Sequence, residues 1–308
     1  MTSAVVFAYH NVGVRCLSVL LAQGVDVKLV LTHEDSPGEN VWFDSVRGRA
    51  LEFGVPTATP ADPNSADVLA RVRACEPDFL FSFYYRQMLK TPLLKSAGRG
   101  AYNMHGSLLP KYRGRVPVNW AIINGETETG ATLHAMTEKP DAGDIVDQIA
   151  VPILPDDTAR EVFEKVTVAA EMTLHRSLQA LVAGSAKLRP QDLSKGSYFG
   201  GRTPADGAID WKRSAREIHN LVRAVTRPYP GAFCDTSAGM LMVWRTRMRN
   251  RSSPGTPALL VEDGGVVARC GDGGLLKVLD VELNGSVLDA EMLNAKHGGR
   301  LALGEGLP

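Results

Sequence analysis

The chain has 308 residues, and at roughly one domain per 150 residues that length suits two domains with a core of ordinary size. Its 34 Lys and Arg balance 34 Asp and Glu, so there is no net field to gather nucleic acid or anionic lipid, and a nucleic-acid partner is not expected. With 44% hydrophobic and 22% charged residues and no apolar run near the roughly 18 residues of a membrane span, membrane-inserted and disordered classes are excluded.

Residues 4–9 form a β-branched and aromatic run with no basic leader, too short for a signal-peptide core, so a cytoplasmic protein is expected. Val14, Leu17, Leu20 and Leu21 then recur at helical spacing, and VDVKLVL at 25–31 reads as a buried strand. A helix near 42–53, a weak strand after Pro56, a helix at 65–74 and the buried strand DFLFSF at 78–83 continue the alternation of a doubly wound parallel α/β sheet. AYNMH at 101–105 is the next strand, VPVNWAIIN a helix, and TGATLHAM with DIVDQIAV a pair of strands around Asp141 and Gly143. A helix near 157–182, capped from Pro155, Asp156 and Asp157, closes a first domain over residues 1–183. Residues 184–206 lapse into aperiodic Gly, Ser, Lys and Pro and read as a linker. Residues 207–308 open with the helix SAREIHNLVRAV and continue as short alternating segments with Gly and Asp turns, predicting a smaller β-rich domain.

The first strand-to-helix turn reads AYHNVG rather than GxGxxG, and no GxxxxGK occurs, which disfavours a nicotinamide or ATP enzyme. Cys16, Cys75, Cys234 and Cys270 form no CxxC pair, and the seven histidines form no HExxH-type site, so no metal is expected. A ligand is still expected at the carboxyl ends of the strands, where open parallel sheets leave a crevice.

Asn103 and His105 stand two apart at the end of AYNMH, so in extended conformation an amide donor and a titratable base share one face. Asp141 lies in a Pro-Asp-Ala-Gly turn from which a carboxylate could orient an imidazole. Such a set suits direct attack of an amine on a carbonyl: Asn103 for the oxyanion, His105 for the protons, Asp141 as partner of His105. An Asn-x-His pair also fits a hydrogen-bonded structural histidine. The loop GSLLPKYRGRVPVNW directly after it, with two Gly, two Pro and three cations, is an odd place for a purely structural crossover.

The run AYNMHGSLLPKYRGRVPVNWAIINGETETGATLHAMTEKPDAGDIV resembles the core of the folate-dependent formyltransferases, with their Asn-x-His, SLLPxYRG and later xxDxG signature. VVFAYHNVG, FSFYYRQML at 81–89, FGGRTPAD at 199–206 and RPYPGAF at 227–233 are similar to the subgroup that formylates UDP-4-amino-4-deoxy-L-arabinose in polymyxin resistance, so the likeness spans essentially the whole chain. The NAD-dependent sugar-decarboxylase portion of that subgroup's bifunctional members is not expected in this chain. The resemblance implies a Rossmann-like catalytic domain, an OB-like C-terminal domain and 10-formyltetrahydrofolate as formyl donor. It implies Asn103, His105 and Asp141 as catalytic residues. It also implies a folate site made by Gln87, Met88, Leu89 and Arg115 together with Thr137, Glu138, Lys139, Pro140 and Asp141. Met88 and Leu89 equally fit ordinary core.

Two acceptor classes follow from the resemblance, a nucleotide-linked amino sugar and methionyl-tRNA. The loop HEDSPGENVWFDSVRGRA sets Glu34, Asp35, Glu39 and Asp44 against Arg47 and Arg49, where a tRNA enzyme would be expected to carry a basic insertion. Against this, Arg245, Arg247, Arg249 and Arg251 would share one strand face, either as a charge-guarded edge strand or as a contact for diphosphate or RNA. Lys111 and Arg202 are candidate diphosphate contacts. A non-catalytic binding protein of the same fold is the third reading, disfavoured by the intact Asn103, His105 and Asp141 set.

Overall fold

A computed structural model describes residues 1–35, 38 and 40–304, in two compact units. The first comprises Met1–Pro117, Glu128–Pro152 and Phe163–Gly200; the second comprises Val118–Thr127, Ile153–Val162 and the chain from Gly201 onward.

The first unit is a Rossmann-like α/β domain. Strands β1 (Ser3–Ala8), β2 (Asp26–Leu31), β3 (Thr57–Ala58), β4 (Phe79–Phe83) and β5 (Ala101–His105) run parallel in the order β3-β2-β1-β4-β5. Every residue of β1 and β4 is buried, as a strand covered on both faces requires, which explains their continuously apolar sequences. Val5, Phe7, Leu29, Leu31 and Leu80 from these strands pack with Val68 and Val72 of the helix Ala66–Ala74. That helix begins where Ser65 accepts from Val68 N–H, and the helix Val46–Glu52 where Ser45 accepts from Gly48 N–H at 3.0 Å.

Beyond β5 the sheet changes sense. A short strand β6 (Arg113–Gly114) leaves it, and β7 (Glu128–Ala135) returns antiparallel to β5, followed by β8 (Ile145–Pro152) antiparallel to β7. The turn between β7 and β8 carries Asp141. The stretch read as a linker differs from that expectation. Tyr198–Phe199 is a strand, β9, paired with β6, and Arg189 exchanges both backbone hydrogen bonds with Ile145 at 2.8 Å. A run without period lacks a core face of its own, but its backbone can still be used by a neighbouring loop.

The second unit is β-rich. Strands β10 (Ala232–Thr236), β11 (Gly239–Ser252), β12 (Ala258–Glu262), β13 (Gly265–Arg269), β14 (Gly274–Leu283), β15 (Ser286–Val287) and β16 (Arg300–Ala302) form an antiparallel sheet. Its path is β10-β11-β14-β13-β12-β16, with β15 beside β14. The helix Ala215–Val225 opens with a Ser214/Glu217 capping box and buries Ile218 and Val222. In this unit the expected cap of the long helix is displaced by one residue: Thr158 and Glu161 bond each other's backbone N–H, and the helix starts at Ala159.

The arginine stripe lies on an edge, because β10 pairs only with Gly239–Val243 and, among the described residues, β11 from Arg245 onward has β14 alone as its ladder partner. Register irregularities flank Arg245, and the outward arginines meet carboxylates. Arg249 and Arg251 both reach Glu262 and Asp263, while Arg247 Nε stands 3.5 Å from Asp156.

Candidate active site

Antiparallel pairing of β5 with β7 sets Asn103 opposite His134 and His105 opposite Thr132. His105 and His134 are buried and Asn103 is half-buried. His134 Nδ1 lies 2.9 Å from the Ala135 carbonyl, which can only accept, so Nδ1 carries the proton. The lone pair on Nε2 then receives the Asn103 amide at 3.1 Å. One N–H and the carbonyl oxygen of Asn103 are left for a ligand.

The loop after β5 is anchored rather than loose. Thr132 Oγ1 donates to the Ser107 carbonyl at 2.6 Å and accepts from Leu109 N–H at 3.2 Å, and Ser107 Oγ donates to the Lys111 carbonyl at 2.6 Å. These bonds bring the Tyr112 carbonyl to 2.8 Å from His105 Nε2, which donates to it. His105 Nδ1 faces Asp141 Oδ1 at 3.6 Å, and His134 Nε2 approaches the same oxygen at 3.5 Å. Asp141 Oδ2 accepts from Gly114 N–H at 2.8 Å. Burial alone would raise the Asp141 carboxyl; the charge of the His105 ring and the Gly114 N–H outweigh it and hold the group well below the usual carboxylate range.

A carboxylate depressed in the folded state stabilises the fold above its unfolded value of about 4, and that stabilisation is lost as pH falls through the folded value. Relative to an Asp141→Asn variant, the wild-type Tm is expected to drop further between about pH 5 and pH 2. Parallel Tm curves for the two proteins would contradict this.

Asp141 adopts a left-handed backbone with φ of 51°, uncommon for a non-glycine residue. Two residues on, a Cβ on Gly143 would meet the Ala135 carbonyl oxygen and Thr137 Cγ2. Gly143→Ala is therefore expected to cost about 1–3 kcal/mol in denaturant titrations and to lower activity by pushing the turn away from His105. A fully stable and active Gly143→Ala enzyme would refute the close fit.

A cleft of about 520 Å³ opens over this cluster, within the usual size of a small-molecule site. Asn103, His105, His134 and Asp141 are on its wall, as are Gln87, Met88, Leu89, Arg115, Thr137 and Pro140. Leu89 is also part of the core, packing in the cluster with Val68 and Leu93, whereas Met88 is 55% exposed and so is not core. Asn64 holds this segment by donating to the Met88 carbonyl at 2.9 Å and accepting from Lys90 N–H at 2.7 Å. Glu138 and Lys139 are not on the wall; the Lys139 carbonyl accepts from Thr137 Oγ1 at 2.9 Å. Lys111 is exposed and also off the wall. Arg202 belongs to the second unit, where it donates to the Asp206 carbonyl at 2.7 Å and lies over the Trp120 ring at 4.8 Å.

Sequence reasoning missed His134 and the aromatic wall. Alternation in β7 was the available signal for His134, since Thr132 and His134 share the face turned to Asn103 and His105. Tyr9, His10, Tyr84, Tyr85 and Arg86 also line the cleft, with His33 stacked on Tyr85 at 4.0 Å and Arg86 4.4 Å over Tyr9. Burial, then the charge of Asp62, pushes the Tyr85 hydroxyl up to about 12. In the acidic loop, Asp35 accepts from Tyr9 Oη at 2.5 Å and Glu34 from Thr59 Oγ1 at 2.8 Å, while Glu39 lies outside the described residues.

The chain matches the family described as formyl transferase over residues 19–178, more than half its length. It belongs to the formyl transferase family. Residues 202–297 match the formyl transferase C-terminal domain. Among solved structures, this formyltransferase is similar to the N-formyltransferase of Helicobacter canadensis in complex with folinic acid and dTDP-3-aminofucose. The two are 22% identical with a TM-score of 0.74, over 90% of this chain and 99% of that one. It is likewise similar to WlaRD, a sugar 3N-formyl transferase in the presence of dTDP and 5-N-formyl-THF, at 22% identity and a TM-score of 0.71, over 90% and 97% of the two chains. A 4-N formyltransferase from Francisella tularensis matches at 20% identity and a TM-score of 0.63, over 77% of this chain and 94% of that one. At such identities the likeness is one of fold. Among the described residues, no group of three or more His, Cys, Asp or Glu could hold a metal ion, and no helix is long and apolar enough to cross a membrane.

Proposed function

We propose that this formyltransferase moves the formyl group of 10-formyltetrahydrofolate onto the amine of a nucleotide-linked amino sugar, and that the sugar nucleotide is UDP-4-amino-4-deoxy-L-arabinose. The observation that carries the reading is the cluster of half-buried Asn103 and Asp141 with buried His134 and His105 at the cleft, which offers an amide donor beside an imidazole and a carboxylate. Folate and dTDP or a dTDP-sugar accompany two proteins of the same fold, which supports a folate donor and a nucleotide-sugar acceptor. The segments FSFYYRQML and FGGRTPAD support the UDP-sugar subgroup. Under this reading the reaction runs in the cytoplasm and serves lipid A modification of the polymyxin-resistance kind.

The chemistry follows from the donors and acceptors. The neutral sugar amine attacks the formyl carbon, the carbonyl oxygen becomes an oxyanion, and the free N–H of Asn103 stabilises it. The new C–N bond leaves an ammonium whose proton must depart before N10 of the folate leaves and is itself protonated. His105 takes that proton at Nε2 as the Nδ1–H tautomer, its Nδ1–H turned to Asp141 and its Nε2 proton and the bond to the Tyr112 carbonyl given up before the substrate amine is engaged, and Asp141 then stabilises the imidazolium. The products are the formamido sugar and tetrahydrofolate.

The test is formyl transfer from 10-formyltetrahydrofolate to a panel of UDP- and dTDP-linked amino sugars, read as formamide and tetrahydrofolate formed together. Transfer to the UDP-sugar above the others supports the full reading. Equal or better use of a dTDP-sugar leaves only the class, and no transfer to any sugar nucleotide refutes it. A folate analogue soaked into crystals is expected between residues 86–89 and 137–141. Lys111 and Arg202 variants, each made alone, report on the diphosphate contact proposed for each residue.

A further inference from the structure

The segment 189–199 is bonded to both loops that build the reacting cluster. Ser197 Oγ accepts from Tyr112 N–H at 2.9 Å, the Ser197 carbonyl from Arg113 N–H at 3.0 Å, and the Phe199 carbonyl from Arg115 N–H at 3.0 Å. Those bonds fix the loop whose Tyr112 carbonyl engages His105 and whose Gly114 N–H engages Asp141. At its other end, Gln191 reaches the Asp141 turn, donating from Nε2 to the Asp141 carbonyl at 3.1 Å and the Gly143 carbonyl at 2.5 Å.

Gln191 is built for donation. Both hydrogens of its amide nitrogen are used on two carbonyls of one turn, while its Oε1 is buried without a hydrogen-bond partner among the described residues. An apolar side chain of that size would avoid the unpartnered oxygen, so packing alone does not account for an amide here. The turn it grips needs holding, because Asp141 sits at a left-handed φ and its carboxylate stands 3.6 Å from His105.

We propose that Gln191 is a positioning residue for formyl transfer, its amide pinning the carbonyls of Asp141 and Gly143 so that the Asp141 carboxylate stays against His105. The proposal rests on the catalytic reading of His105 and Asp141 given above. It assigns Gln191 no contact with either substrate. Loss of the donor lets the turn relax, and displacement of a catalytic group by an ångström can cost up to about a hundredfold in rate.

The test uses the whole enzyme with Gln191→Glu, which keeps the shape and replaces the N–H donor by an acceptor, and with Gln191→Ala. Each is expected to lose about tenfold or more in kcat, with KM for donor and acceptor changed by less than about threefold. A second readout does not depend on which acceptor is used: the His105 ring, assigned with His105→Gln and followed by NMR in histidine-labelled protein, titrates at lower pH in Gln191→Ala, which adds no charge of its own. The direction follows because the neighbouring carboxylate has receded, leaving His134 as the other titratable side chain at the cluster. A kcat within twofold of wild type in both variants, a loss confined to KM, an unmoved His105 titration in Gln191→Ala, or failure of both variants to fold would overturn the proposal. If the wild-type enzyme formylates no sugar nucleotide, the functional reading falls, and the His105 titration alone decides the role of Gln191.

Discussion

Replacing His105 with Gln or Asp141 with Asn is expected to lower kcat for formyl transfer by about a hundredfold or more, and the double variant should lose little beyond the larger single loss. The two side chains face each other at 3.6 Å inside a buried cluster, so each works through the other. Asp141→Asn isolates the charge. Its side-chain oxygen can still accept the Gly114 N–H that Asp141 Oδ2 now receives at 2.8 Å, so the turn keeps that anchor while the imidazolium loses its counter-ion. With Asp141 neutral, protonation of His105 costs more, and the ring becomes a weaker acceptor for the amine proton. Single-turnover rates at saturating donor and acceptor separate this chemical step from binding. Independent, fully additive losses would sink the idea that the pair acts as a unit, as would an Asp141→Asn enzyme with unchanged kcat.

What could be read beforehand was whatever is local in the chain. The continuously apolar β1 and β4 announce strands covered on both faces, and the two-residue spacing of Asn103 and His105 puts them on one face before any fold is known. What could not be read depends on register and on partners far away. His134 becomes a neighbour of Asn103 only through the pairing of β5 with β7, and Gln191 reaches Asp141 from 50 residues away in a stretch with no periodicity at all. The arginines of β11 were legible as a stripe, but the carboxylates that answer Arg249 and Arg251 lie at Glu262, the end of β12, and Asp263, in the turn to β13. Residue-type patterns report which face a side chain takes; they do not report what the opposite face brings to it.

UDP-4-amino-4-deoxy-L-arabinose is expected to be formylated with a specificity constant at least about a thousandfold above that for methionyl-tRNA, a margin within reach of a site built around one acceptor's polar groups. Docking a tRNA engages many phosphates and needs cations free to meet them, with affinity falling steeply as salt rises from about 50 to 200 mM. Arg247, Arg249 and Arg251, the most concentrated basic run in the chain, are already committed to Asp156, Glu262 and Asp263. Breaking those pairs would subtract from any gain on phosphate. A sugar diphosphate presents only a few charged oxygens and can be held by one or two Arg or Lys side chains, so its use should change little over the same salt range. The two acceptors should therefore be compared at several salt concentrations rather than one. A tRNA that is preferred at low salt and loses its advantage steeply as salt rises would show that the β11 arginines exchange their carboxylates for phosphates, and the sugar-nucleotide assignment would fall.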